Sequence, residues 1–325
     1  MDRVSIANMG VTRFSRICVA ACCILASLSV YACETSLPPS TLIIETTYTG
    51  LAGSSSQDLP ICPVLSRLLD PRAGVFLEVA LLGRGEAALA LGEGPSLPAA
   101  YRCPEGRAFD QLDALALSAC LTEGQVERFC APMLTDLFAA LNALFSEQPR
   151  RGNLFVRVPA PSTAEGQQRV RLALRQAVAS FSYPEQLWIV STDGAWLALL
   201  RQDLTEASLD GVRWGLLWGD GALDEAVALG PDAVFLRARD FATTFNDAAL
   251  IALQAGGVAW GMWQVDGPQE VAWVGEHDGL RAVIGAAVRV FGVAPAANFA
   301  CRDFLAEHGL LARFAVAPGD GTCGR

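Results

Sequence analysis

Three glutamates, Glu45, Glu78 and Glu93, stand on or beside apolar runs that read as β-strands, and Arg157 sits in another such run. Carboxylates gathered at one place can hold a divalent cation or move a proton. A guanidinium in the same place brings a fixed positive charge and a fork of donors suited to oxyanions. Trp263 lies in a further run, and its ring fits either stacking on a ligand or packing in a core. Composition closes off other chemistries. All 24 basic residues are Arg, which removes the phosphate-loop lysine, Schiff-base chemistry and any lysine general base. Only two histidines exist. His277, in Glu276-His277-Asp278, reads as a solvated loop residue, and His308 as a surface or capping residue of a helix. Ser54, Ser55 and Ser56 mark a loop. There is no His-Glu-x-x-His, EF-hand loop, Gly-x-Ser-x-Gly, or Gly-x-Gly-x-x-Gly after a strand.

These side chains need a frame, and the chain can build one. Its 325 residues are 52% hydrophobic and 18% charged, with a net charge of −10. That much apolar surface supports a core, and the acidic balance argues against a nucleic-acid partner. Short apolar runs at 42–48, 75–81, 87–91, 154–158, 187–191, 213–218, 233–238 and 258–265 read as strands. Most are continuous rather than alternating, as parallel strands covered on both faces are. Helical patterns fall between them, at 132–145, 163–181, 194–202, 222–229, 245–255 and 268–276. Ser162 and Glu165 fit a capping box for the second of these. Eight strands with intervening helices over about 250 residues predict an α/β fold of the (β/α)8 TIM type, a closed parallel barrel. A doubly wound open sheet is the alternative.

The ends of the chain carry different signals. Arg3, Arg13 and Arg16 precede the apolar run Ile17–Val30, which is too short for a stable membrane span. The expected organisation is a signal peptide over 1–32, a tether over 33–41 lipidated at Cys33, a barrel over 42–292, and a disulfide-stapled extension over 293–325. Localisation is expected to be the bacterial cell envelope, by a lipid anchor in a membrane, or otherwise periplasmic or secreted. Export permits disulfides. Cys62, Cys103, Cys120, Cys130, Cys301 and Cys323 form no Cys-x-x-Cys pair, and six cysteines allow 15 pairings. Proximity along the chain favours Cys120–Cys130 and Cys301–Cys323, leaving Cys62–Cys103.

Taken in order, the strand and helix segments resemble the glycerophosphodiester phosphodiesterase family. Gly74-Val75-Phe76-Leu77-Glu78-Val79-Ala80 resembles its second-strand motif with Glu-x-Asp, and Gly85–Leu91 the following strand. Ala131–Leu137 resembles its helix start, and Leu154–Val158 its Leu-x-Ile-Glu-Ile-Lys strand. Trp188–Asp193 with Leu197, Leu200 and Arg201, then Leu253–Val258 with Trp263-Gln264-Val265-Asp266, resemble the later segments. The resemblance implies a TIM barrel, two histidines for acid/base work, a carboxylate cage for a divalent cation, and a substrate-stacking aromatic at Trp263. The chain departs from that chemistry. Thr47-Tyr48-Thr49-Gly50 stands where His-Arg-Gly is expected, and Gly92-Glu93 where the second histidine is. Ala80 replaces a metal carboxylate, Arg157 another, and Pro159 the family lysine; Glu78 remains. Arg157 either pairs with Glu78 in place of the cation or points elsewhere in a plugged mouth.

The functional expectation is therefore a non-catalytic binding or envelope protein, without a cofactor, that takes a phosphorylated or polyol small molecule. The alternative is a residual phosphodiesterase that uses Ca²⁺ or Mg²⁺ at Glu78, with Glu45 and Glu93 facing the same mouth.

Overall fold

The structure is a computed structural model. It describes residues 41–46, 59–92, 94–122, 128–149, 151–219, 223–240, 247–276, 280–286, 288, 291, 299–316 and 322–324. The signal segment, Cys33, the Ser54–Ser56 loop, Glu93 and His277 lie outside the described residues. None of the described helices is long and apolar enough to cross a membrane.

Eight parallel strands close into a barrel. In chain order they are β1 (Leu42–Thr46), β2 (Ala73–Leu81), β7 (Asn153–Arg157), β8 (Leu187–Ser191), β9 (Arg213–Trp218), β10 (Ala233–Arg237), β11 (Ala259–Trp263) and β12 (Ala282–Gly285). Each pairs with the next, and β1 bonds both β12 and β2, which shuts the ring. Helices α3 (Leu134–Glu147), α4 (Ala164–Ala179), α5 (Gly194–Glu206), α6 (Leu223–Ala228), α7 (Asp247–Ala255) and α8 (Pro268–Glu276) fill the connections.

The count of eight barrel strands holds, but one member differs from expectation. Residues 89–91 form β3, a short strand antiparallel to the end of β2 with Val79 opposite Leu91, so this run is a hairpin arm outside the barrel. The eighth place belongs to β12, which the sequence reading did not count among its strands. Trp263 accordingly sits on the seventh barrel strand. The cap of α4 also differs: Thr163, not Ser162, is its N-cap, and the Gly166 amide donates to Thr163 Oγ1 at 3.1 Å.

Strand alternation divides the apolar residues between two cores. One set, including Ile43, Val75, Leu77, Val156, Ile189, Leu216, Val234 and Met262, packs against the helices. The alternate set fills the lumen: Leu42, Ile44, Phe155, Trp188, Val190, Leu217, Phe235, Trp263 and Ile284. Phe155 stacks on Trp188 with centroids 5.2 Å apart, and Phe235 meets both rings edge-on at 5.9 and 6.0 Å. Gly215 and Gly261 make this possible, because a Cβ on either would come within 2.5 and 2.8 Å of the Phe235 ring. The lumen is thus a packed floor rather than a pore.

Between β3 and α3 the chain makes a small lobe with its own core of Leu82, Leu97, Tyr101, Phe109, Leu112, Leu117 and Cys120. It holds β4 (Tyr101–Arg102), β5 (Leu121–Thr122), β6 (Arg128–Phe129) and α2 (Ala114–Ser118). Arg169 of α4 ties its root to the barrel, donating to the carbonyls of Gly83 and Leu82 at 2.6 and 3.0 Å. The C-terminal segment adds α9 (Cys301–Glu307) and β13 (Ala315–Val316), the latter antiparallel to β6.

The disulfides are Cys62–Cys301, Cys103–Cys120 and Cys130–Cys323. Neither of the two pairings favoured by chain proximity forms, nor does the Cys62–Cys103 pair they left over. Cys103–Cys120 joins residues only 17 apart, but in the other two bonds the fold sets the distances. Cys62 opens α1 (Cys62–Arg67), against which α9 packs, while β13 brings the chain end beside β6 and Cys130.

Candidate functional site at the barrel mouth

On β2, β7 and β10 the lumen-facing position two residues beyond the floor is charged. Phe76 and Glu78 share the inward side of β2, and Phe155 and Arg157 share that of β7. Parallel pairing sets Glu78 directly opposite Arg157, and Arg157 Nη1 donates to Glu78 Oε2 at 2.9 Å. Both side chains are largely sheltered, at 14% exposure for Glu78 and 31% for Arg157. A charge-assisted bond of this length satisfies the carboxylate with a fixed cation. Of the two orientations left open for Arg157, the structure has the pair.

Arg237 occupies the matching place on β10, two residues beyond Phe235, and the sequence reading did not single it out. Its guanidinium lies 5.4 Å from the ring centroid of Trp263 and donates through Nη1 to Asp240 Oδ2 at 3.0 Å. Gly219, just past β9, gives it room, since a Cβ there would overlap Nη2 of Arg237. The available signal was parity: Ala233, Phe235 and Arg237 alternate, so a charge at the end of that series must face the mouth.

Trp263 is 7% exposed and packs in the lumen, with its indole N–H donating to the Trp218 carbonyl at 3.1 Å. One ring face is therefore engaged by Arg237 within the protein. Trp214 and Trp260 are buried in the core, whereas Trp218 is only partly covered. Glu45 lies in β1 level with Val75 and Gly285, and its side chain, like all of Glu93, is outside the described residues. His308 follows α9, with Nδ1 2.9 Å from the Phe304 carbonyl and Nε2 3.0 Å from Glu147. Of the two expected roles, surface or capping, it holds the C-cap position of α9.

A divalent cation does not fit the described mouth. No group of three or more His, Cys, Asp or Glu side chains capable of holding a metal exists among the described residues. The one carboxylate on the inward face of β2 is bound to a guanidinium, and an ion placed on it would meet a like charge. Away from the mouth, a cavity of about 400 Å³ lies between α4 and α5 beside the Arg171–Asp203 pair.

No protein-family profile and no curated protein sequence matches the chain. Solved structures do. A protein from Silicibacter pomeroyi DSS-3 bearing the name glycerophosphoryl diester phosphodiesterase aligns at 14% identity with a TM-score of 0.59, over 85% of this chain and 97% of that one. A glycerophosphodiester phosphodiesterase from Parabacteroides distasonis ATCC 8503 aligns at 11% identity and a TM-score of 0.54, over 77% and 94%. A glycerophosphodiester phosphodiesterase from Agrobacterium tumefaciens str. C58 aligns at 11% and 0.51, over 78% and 100%. At such identities the likeness speaks for the backbone, and the chain is a TIM barrel of the kind found in glycerophosphodiester phosphodiesterase structures.

Proposed function

We propose that this protein is an exported, lipid-anchored and non-catalytic barrel of phosphodiesterase-like fold, which binds a small phosphorylated or polyol molecule at its mouth and needs no metal cofactor. The Glu78–Arg157 ion pair carries the reading. A hydrolase acting on a phosphodiester needs a base for the nucleophile, an acid for the leaving alkoxide and positive charge on the phosphoryl oxygens. Arg157 could supply the last, but it also occupies the carboxylate best placed to serve as base. Export is supported by the Arg3–Val30 leader pattern and is compatible with three disulfides. Cys33 would join the protein to a membrane of the envelope, and the acidic chain would have no nucleic-acid partner.

The competing reading is a residual Ca²⁺- or Mg²⁺-dependent glycerophosphodiester phosphodiesterase, favoured by the survival of Glu78 at the mouth. Hydrolysis of glycerophosphodiesters by the mature protein with Ca²⁺ or Mg²⁺, beside Glu78→Ala, separates the two. No turnover by either folded protein is expected. Wild-type turnover that disappears in Glu78→Ala would overturn the non-catalytic reading.

A further inference from the structure

The mouth holds more hydrogen-bond donors than its described carboxylates use. Each guanidinium offers five N–H groups and no acceptor. For Arg237, Nη1 goes to Asp240, which also lies 3.4 Å from Arg239 Nε. Its Nε is buried and has no hydrogen-bond partner among the described residues, and the same holds for Arg157 Nε across the ring. Buried donors without acceptors are uncommon and costly. The Arg237 guanidinium is also held in place before any ligand arrives. Asp240 holds one end, the Trp263 ring lies against it, and the bare backbone of Gly219 sits where a side chain would displace it. Strands β7 and β10 stand three apart around an eight-stranded ring, and both arginines close their strands at the same end of it, on the inward side.

We infer that the mouth is an oxyanion receptor built on Arg237, with Arg157 as the second cation, and that it takes the phosphate group of a phosphorylated small molecule. This rests on the proposed reading of the mouth as a binding site. It deepens that reading by choosing the anion over the uncharged polyol. A fixed guanidinium suits a phosphate because two of its N–H groups can meet two oxygens at once, a geometry that a hydroxyl cannot answer. Gly219 becomes a specificity residue without touching the ligand, since its missing side chain leaves Arg237 where it is.

Inorganic phosphate is the probe, with ³¹P line broadening and calorimetry on the mature protein, and glycerol as the uncharged comparison. Wild type is expected to bind phosphate and to ignore glycerol. Arg237→Gln is expected to weaken phosphate binding by at least about tenfold, the loss of one charge-assisted bond. Gly219→Ala should produce a similar loss while keeping every charge, because the added methyl meets the end of a flexible side chain and shifts it with little effect on folding. Should Arg237→Gln fail to fold, Gly219→Ala carries the test. Wild type that ignores phosphate, or binding unchanged in both variants, overturns the inference, as does glycerol binding alone. Phosphodiester turnover would overturn the non-catalytic reading but not this one, and an inactive protein that ignores phosphate overturns only this one.

Discussion

Along β7, two residues separate Phe155, stacked on Trp188 in the lumen floor, from Arg157, bound to Glu78 at the mouth. Along β10 the same step separates Phe235, against both of those rings, from Arg237, held by Asp240 and Trp263. The floor is apolar and close-packed, and its energy comes from area removed from water and from ring contact. The mouth is built of paired charges that remain partly exposed, where ion pairs stabilise little. Each of these two strands thus carries a packed aromatic and a paired charge at successive inward positions. The arrangement lets the mouth change its charges without disturbing the barrel.

Substitutions can break that division or sharpen it. Phe235→Ala removes the ring common to both edge-on contacts and should cost about 3–5 kcal/mol in urea unfolding. Replacing Cys62 and Cys301 by Ser releases a link between residues 239 apart and should cost about 2–5 kcal/mol under oxidising conditions. Glu78→Gln leaves Arg157 without its counter-charge. Because that guanidinium is nearly a third exposed, the expected loss is about 1–2 kcal/mol, below the range for a fully buried pair. A cost equal to that of Phe235→Ala would make the mouth structural and end the distinction. Leu115→Ala, at a side chain 77% exposed, should stay within about 0.5 kcal/mol and serves as the control.

The barrel was legible in the sequence because continuous apolar runs such as Leu187–Ser191 and Ala233–Arg237 are what doubly covered strands require. The mistaken strand shows the limit of that signal. Leu89–Leu91 is as apolar as a barrel strand, but its partner is the overhanging end of β2, and pairing direction leaves no mark on composition. Disulfide connectivity was illegible for the same reason: Cys62 meets Cys301 through helix packing, not through chain distance. At the site, Glu78 and Arg157 were marked by the resemblance to the phosphodiesterase strand motifs, which left their pairing as one of two orientations; the register of β2 and β7 selects it. Arg237 was missed because one arginine closing an apolar strand looks like an ordinary solvated end. Only its parity with Phe235, together with the glycine on the neighbouring strand, marks it as inward.

If Arg157 neutralises Glu78 as proposed, the mouth needs no metal. The most direct test is the melting temperature of the mature wild-type protein across a titration of Ca²⁺ and of Mg²⁺, against EDTA. Any ion bound by the folded state alone raises stability, by about 2.7 kcal/mol at a hundred times its Kd. Superimposable melting curves are expected at all concentrations. A saturating upward shift with either ion, abolished in Glu78→Gln, would contradict it.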